Sequence, residues 1–268
     1  MFLSVSTIVG QIENGNRMKN RHRNLAFLFF FVFFVLVVMS VYASNDESSK
    51  DQKKSMSVFP FIMYDTDIGF GYGGRAKFIS YLSQKESFDF VIFNSTKGER
   101  WYGFNFSIPD AEIRQGKKYP ISFDLRAEYQ KYLKYYFYGI GGGSREEDQT
   151  EFIYEQKKLR ITIGKGFSPH FVVEVSYFLK NVHYIDPAED RPFTDILGAV
   201  GEQFSPCVSL VVRYDTSGSQ IHPQKGMRLI FQNDWASRFF GNKNASFYRF
   251  SLDFRKYTLL FGQRDVLA

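Results

Sequence analysis

From about Phe61 to the end of the chain, apolar or aromatic residues alternate with polar or charged ones in successive segments. In the segment Phe171–Val182, for example, Val173 and Val175 fall on one face, whereas Glu174 and Ser176 fall on the other. A period of two is the signature of β-strands. The segments are roughly 8 to 11 residues long, close to what a tilted strand needs to cross a membrane. The pattern therefore predicts an all-β fold, an antiparallel transmembrane β-barrel with lipid outside and a polar lumen inside.

The same alternation predicts nine or ten strands and no helix after residue 45. Within Ile121–Gln130, Phe123 and Leu125 are expected to face lipid, and Asp124 and Glu128 to face the lumen. The predicted strands are Val58–Met63, Gly69–Leu82, Phe88–Asn94, Trp101–Ile108, Ile121–Gln130, Phe152–Lys165, Phe171–Val182, Val208–Tyr214, Met227–Trp235 and Phe247–Leu260.

A soluble exported β protein, either a sandwich or a lipocalin-like barrel, is the alternative fold. Such a protein also buries one face of each strand and hydrates the other, so it has the same period of two. Two features favour the membrane barrel. The apolar faces carry few charges, and Tyr, Trp and Phe recur near strand ends, as in the aromatic girdles of outer-membrane proteins. The chain contains 31 Phe and 17 Tyr; a large soluble core could hold many of them, but after the export signal they mostly alternate with polar residues rather than forming continuous apolar runs.

The N-terminal segment has the features of an export signal. Basic residues between Arg17 and Arg23 precede the apolar run Leu25–Val38, and Val41-Tyr42-Ala43 suits signal peptidase. We predict a signal peptide over residues 1–43, with cleavage after Ala43. The alternative, an uncleaved membrane anchor, needs a longer apolar run of about 20 residues. Residues 44–57 are polar and charged and are expected to be a disordered linker, followed by the barrel over residues 58–268.

The remaining chemistry argues against several functional classes. The net charge is +6, but the basic residues are dispersed rather than clustered on a helix, so nucleic acid is not an expected partner. Cys207 is the single cysteine, which excludes an intrachain disulfide or a thiolate metal cluster. The four histidines form no H-x-x-x-H or H-E-x-x-H pair. We therefore predict no catalytic residues, no metal site, no cofactor and no enzymatic activity.

Two glycine-containing segments suggest specific backbone geometry. Four glycines lie in or beside the second predicted strand, where glycine indicates bending or close backbone approach: Gly69, Gly71, Gly73 and Gly74.

The second segment runs from Tyr214 to Gly226. Pro223 fixes φ, Gly226 permits a positive φ before the next strand, and Asp215 can accept backbone N–H bonds across a turn. We expect Asp215, Thr216, Pro223 and Gly226 to form a structural turn motif.

The Tyr214–Gly226 segment, the glycine-rich Tyr138–Ser144 and the glycine-rich Asp67–Gly74 together resemble the barrel of the bacterial surface antigen family. That family belongs to the outer-membrane insertase superfamily, with BamA-like and TamA-like proteins. Its members often carry Asp-Thr-Arg-Asp, four residues and Pro-x-x-Gly; here Ser217 and Gly218 replace the Arg-Asp pair. The resemblance covers about residues 58–268.

The resemblance implies an outer-membrane protein of a Gram-negative-type bacterium that assembles, inserts or translocates polypeptide or lipid. Its partners would be outer-membrane lipid, including lipopolysaccharide, and other outer-membrane or secreted polypeptides. The strands near Gly69–Gly74 would form the first side of a seam that opens in the barrel wall. A passive pore or surface structural barrel is the alternative function.

Two family features are missing from the sequence. No segment is long enough for a periplasmic POTRA domain, and no Arg-Gly-Tyr/Phe motif occurs. The chain also ends on Ala268 rather than on an aromatic residue. We therefore expect it to be the N-terminal portion of a longer barrel.

Overall fold

The described part of the chain is one antiparallel β-sheet. The computed structural model describes residues 54–82, 84–138, 145–185, 202–218, 223–242, 246–259 and 266–267, all within the unit Gln52–Ala268. The predicted signal peptide, its cleavage point after Ala43 and the linker up to residue 53 lie outside the described residues.

The sheet has ten long strands and a two-residue eleventh. The strands are β1 (Ser55–Asp65), β2 (Gly69–Ile79), β3 (Ser87–Ser95), β4 (Arg100–Ile108), β5 (Tyr119–Phe137), β6 (Thr150–Gly166), β7 (Phe171–Ile185), β8 (Glu202–Asp215), β9 (Gly226–Ala236), β10 (Phe247–Leu259) and β11 (Val266–Leu267). One short helix, α1 (Ala111–Arg114), and two 3₁₀ turns at Glu146–Asp148 and Arg238–Phe240 lie in the connections.

Strand order in the sheet follows the order in the chain, and each strand pairs antiparallel with the next. Among the described strands, no ladder joins β1 to β11, so the sheet is open between them. The predicted all-β antiparallel architecture and the predicted number of long strands are confirmed. None of the described helices is long and apolar enough to span a membrane.

Two local predictions are wrong. β1 begins at Ser55, where it pairs with Ile79 of β2, so the last three residues of the predicted linker belong to the sheet. A short helix also occurs after residue 45. The Asp110 carboxylate caps α1 by accepting hydrogen bonds from the backbone N–H of Glu112 and Ile113, at 3.0 and 3.4 Å. Four residues are too few for helical periodicity to show in the sequence.

The register of the ladders sorts the side chains onto two chemically different faces. One row across β3 to β7 is apolar: Phe90, Phe104, Ala127, Leu159 and Leu179. The neighbouring row on the opposite face is mainly polar: Asp89, Asn105, Arg126, Arg160 and Phe178. We call these the outer and the inner face. Phe123 and Leu125 share the outer face, and Asp124 and Glu128 share the inner face, as the sequence predicts.

Candidate seam, lumen and turn motif

The first strand offers an open edge. Within the described residues β1 forms a ladder with β2 alone, so the hydrogen-bonding groups on its other side have no strand partner there. Every residue of β1 except Phe61 is exposed. An unpaired strand edge is a template for another strand, so β1 is the part of the described sheet best placed to accept one.

Pro60 shows which groups of β1 face this edge. Proline has no N–H and in sheets occupies positions whose nitrogen points away from the ladder. Successive residues direct their hydrogen-bonding groups alternately to the two sides of a strand. The N–H groups of Val58 and Ile62 therefore point to the open edge, with a gap between them at Pro60. An incoming strand would find donors at positions 58 and 62 and none at 60.

The predicted close approach at the glycines takes a specific form at Gly73. This residue pairs with Phe61 on β1 and with Phe93 on β3, so all three lie in one row of the inner face. The two phenylalanine rings meet over it, with centroids 6.1 Å apart. A Cβ on Gly73 would lie 2.1 Å from the carbonyl oxygen of Ile92 and 2.9 Å from the ring of Phe61. Only glycine lets the rings bridge β1 and β3 across β2.

The other three glycines of the cluster have different environments. Gly69 begins β2 with φ +77°, which closes the turn after β1. A Cβ on Gly71 would lie 2.6 Å from the Phe93 ring, whereas one on Gly74 would meet nothing closer than 3.4 Å. A side chain would therefore clash with its neighbours at positions 69, 71 and 73, but not at position 74.

An ion pair connects the turn after β1 to β5, a strand of 19 residues. The Lys134 ammonium lies 3.1 Å from the Asp67 carboxylate, and Lys97 donates to the carbonyl oxygen of Thr66 at 2.5 Å. These contacts link the tips of the first two hairpins to β5. The sequence pattern gave no sign of them, since Asp67 and Lys134 are distant in the chain.

A polar cavity of about 700 Å³ occupies the inner face near the α1 end of the sheet. Side chains from five successive strands line it: Asp124, Arg160, Glu174, Ser209 and Gln232. A flat sheet could not enclose one cavity with five neighbouring strands, so the sheet curls around it, as a barrel wall does. The predicted polar lumen therefore corresponds to this curved inner face.

Ion pairs organise the cavity. Arg114, from α1, lies 2.7 Å from the Asp124 carboxylate on β5, and Arg213 on β8 lies 3.3 Å from Glu174 on β7. Burial by itself would lower the pKa of Arg114, but the hydrogen bond and the negative charge of Asp124 raise it above the ordinary value. Arg114 thus stays charged and holds α1 against the inner face. No pattern in the sequence predicts this contact between α1 and β5.

The predicted turn motif lies between β8 and β9 beside this cavity. The Asp215 carboxylate accepts a hydrogen bond from the Ser217 N–H at 2.9 Å and one from Arg228 Nε at 2.8 Å. Thr216 donates its N–H to the Met227 carbonyl at 2.9 Å.

Gly226 has φ +106°, and a Cβ there would lie 2.4 Å from the backbone carbonyl oxygen of Thr216. Pro223 stands in the same connection, beyond residues 219–222, which lie outside the described part. The backbone N–H of Asp215 also donates to the His170 carbonyl at 2.8 Å, which joins this turn to the β6–β7 turn.

Carboxylates of the described strands are paired with cations rather than clustered with one another. Within the described part of the chain, no group of three or more His, Cys, Asp or Glu side chains is arranged to hold a metal ion. The inner-face carboxylates instead face arginines, as at Asp124 and Glu174.

Comparison with known proteins agrees with this architecture. Residues 41–268 match the family model of the Omp85 superfamily domain. The crystal structure of BamA from Haemophilus ducreyi lacking POTRA domains 1–3 is similar, with a TM-score of 0.50 and 10% sequence identity. The similarity covers 77% of this chain and 38% of that chain, and at this identity it concerns the fold. No curated protein matches the chain.

The resemblance to outer-membrane insertase barrels that the sequence predicted is confirmed. The family match spans most of the chain, and the open antiparallel sheet curls around a polar inner face with an apolar face outside. The chain belongs to the Omp85 superfamily of outer-membrane β-barrels.

Proposed function

We propose that the chain forms the first side of a lateral seam in an outer-membrane barrel, and that β1 accepts a strand of a client polypeptide during assembly, insertion or translocation. The observation that carries the proposal is the open edge of β1, with donors at Val58 and Ile62. Lipid, including lipopolysaccharide, and other outer-membrane or secreted polypeptides would be its partners.

The hinge for opening the seam would be the glycine-rich part of β2. Gly71 and Gly73 carry no side chains on the inner face, so β1 is held there by its main-chain ladder and by the Phe61–Phe93 ring contact. Export by the signal peptide of residues 1–43, cleaved after Ala43, and a linker leading to the barrel belong to the same proposal.

The test is site-specific crosslinking in native outer-membrane vesicles. Cysteines are placed singly at Val58 or Ile62 of β1, in a Cys207→Ser background, and a cysteine-bearing unfolded outer-membrane protein is supplied as client. We expect crosslinks from β1 in one register while the client assembles. A matched cysteine at Phe231, on the outer face of interior strand β9, should give none.

A passive pore is the competing outcome. Steady conductance across planar bilayers, with equal crosslinking from β1 and from β9, would contradict the seam proposal and support the pore. The missing N–H donor at Pro60 allows a second test, which measures the rate of client assembly. Replacing Val58 with proline removes one edge donor and should slow client assembly, whereas Pro60→Ala adds a donor and should not slow it.

A further inference from the structure

The outer face changes from apolar to basic over three successive rows of β4, β5 and β6. The first row is apolar: Phe104, Ala127 and Leu159. The second carries two tyrosines and a lysine: Tyr102, Tyr129 and Lys157. The third is charged: Arg100, Lys131 and Glu155. Apolar, aromatic and charged rows in this order mark the boundary between hydrocarbon and headgroups on a membrane barrel.

The charges at this boundary leave a surplus of cations. Lys131 lies 3.4 Å from the Glu155 carboxylate. Arg100 and Lys157 are exposed, and neither forms an ion pair with any residue in the described part of the chain. Two cations that project beside lipid without a protein carboxylate can meet an anion there. Arginine and lysine are the residues that bind phosphate by charge-assisted hydrogen bonds.

Directly below the cations, the apolar row has a depression. Ala127 is small and stands between Phe104 and Leu159, and these side chains with Tyr129 and Ile92 line an open apolar groove of about 490 Å³. The Tyr102 and Tyr129 rings, stacked 5.7 Å apart, separate the groove from the charged row. A ligand that fills both parts must combine an anionic head with an apolar chain.

The position of this surface along the strands indicates which leaflet of the membrane it faces. It lies at the end of the sheet that carries the connections 138–149 and 186–201, which are longer than the connections at the opposite end. Outer-membrane barrels place their longer loops outside the cell. The surface therefore faces the outer leaflet of the membrane that the family membership implies, independently of any seam at β1.

We propose that this surface binds a phosphorylated lipid of the outer leaflet. Arg100 and Lys157 contact the phosphate, and an acyl chain lies in the groove over Ala127. The opposite end of β6 supplies a contrast, because Lys165 is also exposed on the outer face but lies at the other membrane boundary. Lys157 and Lys165 are about 26 Å apart at about 3.3 Å per residue.

The test is native mass spectrometry of the detergent-purified full chain titrated with bis-phosphorylated lipid A. We expect the double variant Arg100→Gln/Lys157→Gln to bind lipid A about tenfold more weakly, whereas Lys165→Gln stays within about twofold. Ala127→Phe fills the groove and should also weaken lipid A binding. Lys157→Arg keeps the charge and should bind as wild type does. Heat-modifiable gel mobility and circular dichroism verify that each variant is folded.

Three results would overturn the proposal. The first is wild-type affinity in the folded double variant. The second is equal binding of lipid A from which the phosphates have been removed. The third is displacement of lipid A by millimolar inorganic phosphate together with unchanged binding in Ala127→Phe, which would indicate a site for soluble anions.

Discussion

Replacing Asp215 with alanine tests whether the β8–β9 turn is held by its carboxylate. The side chains of Asp215 and Arg228 are 17% and 14% exposed, and the ion pair between them measures 2.8 Å. Removing one partner of a buried pair costs about 3–5 kcal/mol. The pair borders a polar cavity that can admit water, so we expect a loss of about 2–4 kcal/mol in the free energy of unfolding.

The loss has two parts that can be separated. Ser217→Ala removes the hydroxyl donor to Asp215 but keeps the Ser217 N–H bond to it, and should cost about 1 kcal/mol. Arg228→Met removes the cation, and the double variant Asp215→Ala/Arg228→Met should cost less than the two single variants combined, by about 1–3 kcal/mol. The loss of stability that remains in the double variant reflects the Ser217 N–H, which loses the Asp215 carboxylate as its acceptor.

The assay is urea unfolding of the chain folded into phospholipid vesicles, in a Trp101→Phe background that leaves Trp235, on the same strand as Arg228, as the single fluorescent tryptophan. Refolding curves must coincide with unfolding curves for the free energies to be meaningful. The reasoning is refuted if Asp215→Ala stays within about 0.5 kcal/mol of wild type, or if the cycle with Arg228 shows no coupling.

Three further predictions concern other parts of the sheet. Gly73→Ala should destabilise the fold by about 1–3 kcal/mol because its Cβ meets a backbone oxygen, whereas Gly103→Ala, with no atom nearer than 3.6 Å, should be close to neutral in the same urea assay. Burial raises the pKa of Glu99, partly offset by a backbone hydrogen bond at Leu133. Its contribution to stability should therefore be greatest below about pH 4 and fall as the pH rises through the folded-state pKa; Glu99→Gln should abolish that fall in pH-dependent unfolding. Arg114→Gln should release α1 from Asp124 and raise single-channel conductance in planar bilayers, and an unchanged conductance would show that α1 does not restrict the lumen.

The strands were predictable because their information is local. On β6 the alternation of Leu159, Ile161 and Ile163 with polar residues is enough to identify a strand and to assign its residues to an apolar and a polar face. The start of β1 was not predictable. Ser55 and Ser57 have the composition of a linker, and their place in the sheet depends on main-chain pairing with Lys77 and Ile79.

The sites show the same division between local and distant information. A close approach at Gly73 could be expected from the glycine cluster, but the approaching rings of Phe61 and Phe93 become apparent only when three strands are in register. Arg100 and Lys157 are far apart in the chain, and no pattern within one segment places them at the same membrane boundary. The Asp215 turn was easier to predict from the sequence because Asp215 and its partners Ser217 and Arg228 are close together in the chain.

The ring contact over Gly73 also gives the first hairpin a mechanical direction. The Phe61 and Phe93 rings both lie on the inner face, so turning β1 inward about β2 presses one ring against the other, which close packing resists. Turning β1 outward separates the rings and meets no such obstacle there. The energy cost of displacing β1 is therefore asymmetric: its free edge moves towards lipid more readily than towards the lumen.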